Sequence, residues 1–181
     1  MSAGGESLGS VPAAPIGAGD HVRGEAGAPP AVLYLDLACP HCAADWAHIR
    51  ELPLRLCVRH FPIGSKRPRA PALHAATEAA YELGGEEAFW RMWDSLMADQ
   101  AHQDDPHLWG RAEAIGLDLT RFDELRRSDA IAERVKDGFR SGIRAGVTGT
   151  PSAVCGGELI GAGVRERLEA LAAAGGSQPP L

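Results

Sequence analysis

The chain of 181 residues has no apolar run approaching the ~20 residues of a membrane-spanning helix, so no membrane span is expected. Basic charge is in deficit: 18 Lys and Arg against 24 Asp and Glu leave a net charge of −6. Nucleic-acid binding wants a basic face, so no nucleic-acid partner is expected either. Cysteine is scarce, with four residues, and no second Cys-x-x-Cys exists to complete a four-ligand zinc site. A structural metal is therefore not expected. Met1–Pro30 lacks both a basic n-region and a continuous apolar h-region; it does not read as a signal peptide, and the expected location is cytoplasmic. There is no internal repeat.

What is present fits one folded domain. Hydrophobic content is 45% and charged content 23%, ordinary for a globular chain, and the length suffices for a sizeable core. Residues 1–19, rich in Gly, Ala, Pro and Ser, are expected to be disordered and residues 175–181 to form a flexible tail. The domain is expected over residues 20–174.

The most informative stretch is Leu33-Tyr34-Leu35-Asp36-Leu37-Ala38-Cys39-Pro40-His41-Cys42. A strand-like run ends in two cysteines, and a helix-prone segment follows. Unpaired N–H groups and the macrodipole at a helix N-terminus favour a thiolate over a thiol. Pro40 suits the first turn, where its missing N–H costs nothing. Two cysteines at this spacing close into a disulfide and reopen, so the pair reads as a redox centre. Cys39 is the expected nucleophile, its sulfur facing solvent and substrate; Cys42, one turn in, is the expected buried resolving thiol. Pro40 and His41 are the expected redox-tuning residues: a helix mouth aided by a partly protonated imidazole pulls a thiol pKa from ~8.5 into the range ~3.5–7. An inert structural disulfide is an unsuitable reading for that position.

A second signal lies far along the chain, in Gly149-Thr150-Pro151-Ser152. A Thr-Pro at a loop-to-strand junction is a place for a cis peptide bond, which costs an X–Pro unit only about 0.5–1 kcal/mol. An ordinary trans proline opening a strand is the alternative.

With both motifs the chain resembles the DsbA-like branch of the thioredoxin superfamily, bacterial thiol–disulfide oxidoreductases. The likeness runs over residues 20–173: Asp20-His21-Val22-Arg23-Gly24 before the first strand, Cys39-Pro40-His41-Cys42, Arg59-His60-Phe61-Pro62 after the second, an all-helical middle, then Gly149-Thr150-Pro151. The resemblance implies disulfide exchange with protein or small-molecule thiols and disulfides, an unidentified redox partner, and no cofactor beyond the redox-active disulfide. It also implies that Thr150 and Pro151 lie beside Cys39 and bind substrate, the loop backbone pairing with an extended segment. The rival is a non-enzymatic redox-sensing or regulatory module, since related domains are attached to membrane transporters.

The element pattern agrees. Ala31–Leu37 reads as a central strand, Cys39–Leu52 as a helix and Leu54–Phe61 as an alternating strand. Residues 72–146 carry only helical patterns, broken at Gly84-Gly85, with N-caps expected at Asp105, Thr120 and Ser128. Ser152–Cys155 and Glu158–Ile160 read as a hairpin and Val164–Ala174 as a closing helix. The fold class is α/β: a thioredoxin-like fold with a helical insertion between its second and third core strands. Trp46, Trp90 and Trp93 read as core. Asp36 reads as a helix cap or as a proton acceptor for the buried thiol, the cap being favoured. His60 and His74 show no partner in the sequence and read as structural; Lys66, Arg67 and Arg69 read as a solvated loop. Cys57 and Cys155 read as small buried hydrophobes on strands that flank the first one.

Overall fold

The apolar run Pro30–Leu35 becomes strand β2, the middle of a five-stranded sheet. A computed structural model of the chain describes residues 13–175. β2 is apolar on both faces because both are covered. Ala31, Leu33 and Leu35 join the main core, while Val32 and Tyr34 join a second cluster with Cys57, Phe61, Ala145 and Val147. The sheet order is β1–β3–β2–β4–β5, with β1 at His21–Arg23, β3 at Arg55–His60, β4 at Ser152–Cys155 and β5 at Glu158–Ile160. β2 runs parallel to β3 and antiparallel to β4, so Cys57 and Val154 both sit opposite Val32. Cys57 and Cys155 therefore lie on strands either side of β2, as the sequence implied.

Helix α1, Pro40–Ile49, connects β2 to β3, and α6, Val164–Gly175, packs beside α1. Between β3 and β4 lies the helical insertion: α2 (Ala70–Ala98), α3 (Asp105–Ile115), α4 (Leu119–Arg126) and α5 (Asp129–Arg144). The chain is thus a thioredoxin-like α/β fold with its insertion where expected. Trp46, from α1, stacks on Trp90 and meets Trp93 edge-on, both from α2, joining core and insertion.

Several local expectations are corrected. Asp20–Gly24 is not only a lead-in: His21–Arg23 pairs antiparallel with β3 as an edge strand too short to read by period. The break expected at Gly84-Gly85 is present, by contrast: two helices meet within α2 at a kink where Gly85 leaves helical geometry with φ 68° and ψ −161°, a conformation open to glycine. Asp104, not Asp105, caps α3, and Asp118, not Thr120, caps α4; each carboxylate accepts from a backbone N–H three residues on. Ser128 caps α5 as expected. The disordered segment expected over residues 1–19 falls outside the described residues up to position 12, as does most of the tail expected over 175–181. From residue 13 the chain lies on the domain: Ala13 and Ile16 pack on the second cluster, and the Pro15 carbonyl accepts from Arg59 at 3.1 Å.

Candidate active site

Strand β2 delivers the chain to Asp36, and a short turn, closed by the Cys39 N–H donating to the Asp36 carbonyl at 2.9 Å, sets Cys39 as the N-cap of α1. Pro40 occupies the first turn, and no side chain caps the helix. The free N–H groups of that turn thus face the first sulfur. The Cys39 thiol is lowered to about 5, chiefly by a hydrogen bond from the Cys42 thiol; the Cys42 backbone N–H, Thr150 and the positive charge of Arg67 help, and burial opposes. Cys42 is shifted upward, first by burial and then by the neighbouring Cys39. One sulfur is ionised at neutral pH and the other holds its proton.

One expectation about Cys39 fails. Its sulfur does not stand open to solvent: the residue is 1% exposed. The Thr150 loop covers it, and the Thr150 carbonyl oxygen lies 3.6 Å from Cys39 Sγ. Pro40 and His41, between the cysteines, are the exposed residues of the motif. All four cysteines are free thiols in this structure. The Thr150–Pro151 bond is cis. Thr150 Oγ1 is buried and has no hydrogen-bond partner among the described residues. The structure therefore brings Cys39, Cys42 and Thr150 together, with Pro151 next in sequence.

Asp36 is not the helix cap. Its Oδ1 accepts from the Ala38 N–H at 2.9 Å and its Oδ2 from the Ile63 N–H at 3.1 Å, an arrangement that ties the turn before α1 to the loop after β3. Its own backbone N–H points at Cys42 Sγ, 3.5 Å away. Burial opposes its ionisation, but His74 and these backbone donors hold the carboxyl below its ordinary range.

Sequence reasoning missed three groups around the site. Arg67, read as a solvated loop residue, lies 3.5 Å from Asp36 Oδ2 and acts on the Cys39 charge. Gln100 and Gln103 hold the active-site turn from the insertion: Gln100 Nε2 donates to the Leu37 and Cys39 carbonyls at 2.9 and 3.0 Å, and Gln103 Nε2 to Leu37 at 3.0 Å. The third group is a buried histidine–carboxylate line. His74 Nε2 accepts from the Leu37 N–H at 3.1 Å, and its Nδ1 meets His60 Nδ1 at 2.7 Å. His60 Nε2 reaches Glu78 Oε1 at 2.6 Å, as does His21 Nε2 at 2.9 Å; His21 Nδ1 reaches Glu86 at 2.8 Å. Arg134 donates to the other Glu78 oxygen at 2.8 Å. His60 and His74 are thus partnered, contrary to expectation. A pattern search sees single histidines on separate elements; only the spacing of His74 and Glu78, four apart on one helix, hinted at a shared face.

Comparison with known proteins places this geometry. Residues 44–174 match the model of the DSBA-like thioredoxin domain, and the chain belongs to that family. The matched stretch begins just past Cys42. Among curated proteins, the chain is 37% identical over 139 residues to a Na(+)/H(+) antiporter NhaA 1 of Salinispora arenicola, an alignment covering 74% of this chain and 21% of that protein. It is 34% identical over 140 residues to Na(+)/H(+) antiporter NhaA of Herminiimonas arsenicoxydans, covering 74% and 22%. The chain spans about a fifth of the length of these relatives. Among solved structures, a thioredoxin-like oxidoreductase from Silicibacter pomeroyi superposes with a TM-score of 0.74 at 21% identity, covering 90% of this chain and 95% of that one. Oxidised BdbD from Bacillus subtilis gives 0.73 at 16% identity, covering 91% and 98%. At these identities the structures show the shared fold.

Proposed function

We propose that the domain is a thiol–disulfide oxidoreductase working through Cys39 and Cys42. The observation that carries this reading is the split between the two sulfurs, an ionised Cys39 at the helix mouth and a protonated Cys42 behind it. The Cys39 thiolate attacks a substrate disulfide. A Cys39–substrate disulfide forms, and the first substrate sulfur leaves with the electron pair. Cys42 then loses its proton and attacks Cys39 Sγ; the Cys39–Cys42 bond forms and the second substrate sulfur leaves as a thiolate. Substrate is reduced by two electrons and the pair is oxidised; the reverse sequence oxidises a dithiol. The sulfurs carry the chemistry, so no metal or organic cofactor is invoked.

Pro40 and His41, exposed between the sulfurs, tune the couple in this reading, and Thr150 and Pro151 hold substrate. The cover that Thr150 places over Cys39 gives way to an extended substrate segment, which pairs with the loop backbone. Direction follows the compartment: in a reducing cytoplasm the domain runs as a reductase or isomerase, in an oxidising one as an oxidase. Insulin reduction with dithiothreitol or glutathione as the electron source is the test. Wild type is expected to turn over steadily, Cys39→Ser to be inactive, and Cys42→Ser to accumulate a mixed disulfide visible by mass. Loss of neither turnover nor adduct in Cys39→Ser would reject the assignment.

A second reading is favoured by the curated relatives, proteins named as sodium/proton antiporters in which the matching region is about a fifth of the chain. In it, the cysteine pair reports redox state to a transporter. One stoichiometric oxidation without turnover in the insulin assay would select this reading over the first.

A further inference from the structure

Helix α2 is broken at Gly85, and one histidine from another element touches both sides of the break. His21 lies on β1, buried, with its ring stacked on Phe89 at 3.5 Å and edge-on to Tyr81. Its Nε2 meets Glu78 Oε1 at 2.9 Å, in the half of α2 before the kink. Its Nδ1 meets Glu86 Oε1 at 2.8 Å, in the half after it. A carboxylate only accepts, so both ring nitrogens carry protons and His21 is an imidazolium. Burial opposes that charge, but Glu78 and then Glu86 outweigh it and raise His21 above its ordinary 6.5.

The two carboxylates differ in what they can do when that charge is lost. The Glu78 side chain is 1% exposed; its Oε1 also meets His60 Nε2, and its Oε2 accepts from Arg134. His60 Nε2 bears its proton because the Leu37 N–H donates to His74 Nε2, which leaves the His74 proton on Nδ1, facing His60 Nδ1. The Glu86 side chain is 46% exposed and free to turn to water. A neutral His21 therefore keeps its proton on Nε2, since a bare nitrogen there would face a buried carboxylate that cannot leave. Nδ1 gives up its proton, its lone pair meets Glu86, and Glu86 swings out. The other charged or titratable groups around His21 are His60 on β3, Tyr81 on α2, and Arg134 on α5 with Glu82 beside it. Its chain neighbour Asp20 is paired with Arg59.

We propose that His21 is a proton-operated latch across the kink of α2: doubly protonated, it holds residues 86–98 against β1, and on losing its Nδ1 proton it lets that half loosen while the half before the kink stays bound through Glu78. Gly85 is the joint, with no heavy atom within 4 Å of where a Cβ would stand. The half that loosens is the one that supports the active site. Its Asp94 accepts from Trp46 Nε1 of α1 at 2.8 Å and pairs with Arg23 of β1 at 3.1 Å. Gln100, two residues past its end, donates to the Leu37 and Cys39 carbonyls. The sign follows from the raised His21: the latch is closed in acid and opens as pH climbs through the raised value. The latch is a property of the fold and is independent of the chemistry that the cysteines perform.

Amide hydrogen exchange of the full chain from roughly pH 6 to 9, corrected for base catalysis of the chemical step, reads the two halves of α2 separately. The imidazole nitrogen shifts of His21 count its protons in the same samples, and both nitrogens are expected to be protonated at about pH 6. As His21 titrates, protection over residues 86–98 should fall about fivefold relative to residues 70–83. The Cys39 amide, in the turn that Gln100 holds, should lose protection with it. Two variants at the half-exposed Glu86 bracket the wild type. The Glu86→Gln side chain accepts from Nδ1–H or, turned over, donates to a bare Nδ1, so the latch stays closed and the step should vanish. Glu86→Ala has nothing to hold and should show the lower ratio at every pH. An equal fall in both halves would be a loss of overall stability and would overturn the latch. So would a constant ratio across the His21 titration, a step that survives in Glu86→Gln, or a single proton on His21 at the acid end. A Cys39 amide that keeps its protection while residues 86–98 lose theirs would overturn the hold on the active site.

Discussion

At the scale of single residues, the site is set by which charges reach Cys39. Its thiol is lowered to about 5, and among the side chains responsible is Arg67, which lies on a loop whose basic residues look solvated in the sequence. The Arg67 side chain is about a quarter exposed and anchored on the fully buried Asp36, so its charge is held rather than swinging in water. Arg67→Gln should therefore raise the midpoint of Cys39 alkylation by roughly half to one pH unit, below the range for a fully engaged opposite charge because water screens it in part. Iodoacetamide rates from acid to neutral pH check this; an unmoved midpoint would mean that the helix mouth and the Cys42 thiol do the lowering alone. The same titration should show Cys42 unreactive while Cys39 is modified, because burial and the adjacent thiolate both hold its proton on.

At the scale of elements, two glycines decide how closely α5 lies on the sheet. A Cβ at Gly138 would stand 3.1 Å from the His60 backbone, and one at Gly142 would stand 2.5 Å from the Phe61 ring and 3.0 Å from that of Tyr34. The two sit one turn apart on the same face, against β2 and the end of β3. Gly142→Ala should destabilise the domain by about 1–3 kcal/mol through overpacking. Gly110, exposed in α3 with nothing within 4 Å of a new Cβ, is the control: Gly110→Ala should stabilise by about 0.5–1 kcal/mol through helix propensity alone. Urea midpoints measure both, and a neutral Gly142→Ala would show that α5 shifts freely. This level also shows what a sequence reveals. The β2 run, the helix mouth at Pro40, the Ser128 cap and the all-helical middle follow from local periodicity and turn chemistry, and all appear in the fold. Cys39 and Cys42 were legible because their chemistry is local, four residues of chain. The burial of Cys39 was not, since the Thr150 loop that covers it lies over a hundred residues away. The three-residue β1 is too short to show a period. The His21, His60, His74 and Glu78 line draws on three separate elements, and no spacing along the chain announces it.

At the scale of the whole molecule, protonation and redox state both bear on stability. His74 is wholly buried and lowered by that burial from 6.5 to about 4; the unfolded chain binds the extra proton, so stability is lost as pH falls from 6.5 toward 4. Glu78, whose burial is outweighed by hydrogen bonds from His21 and His60, is held below its ordinary 4.5 and loses stability in the same direction at lower pH. His21 is raised from 6.5: burial opposes, Glu78 and Glu86 outweigh it, and its contribution is present in acid and lost as pH rises. The cysteine pair adds a further dependence that exists only when reduced. Cys39 is lowered from 9.0 to about 5, so the reduced fold gains nothing below about pH 5, about 2.7 kcal/mol at pH 7, and its full share above the unfolded pKa. Against this, a disulfide closing a four-residue loop constrains the unfolded chain by about 2 kcal/mol in the loop-entropy picture. The two effects balance near pH 6.5. Thermal melts of reduced and oxidised protein should therefore cross: the oxidised form melts higher in mild acid, the reduced form higher at neutral and mildly alkaline pH. An oxidised form that melts higher across the whole range would identify the pair as a structural bridge. A reduced form higher even at pH 5 would place the stabilisation elsewhere than in the Cys39 thiolate.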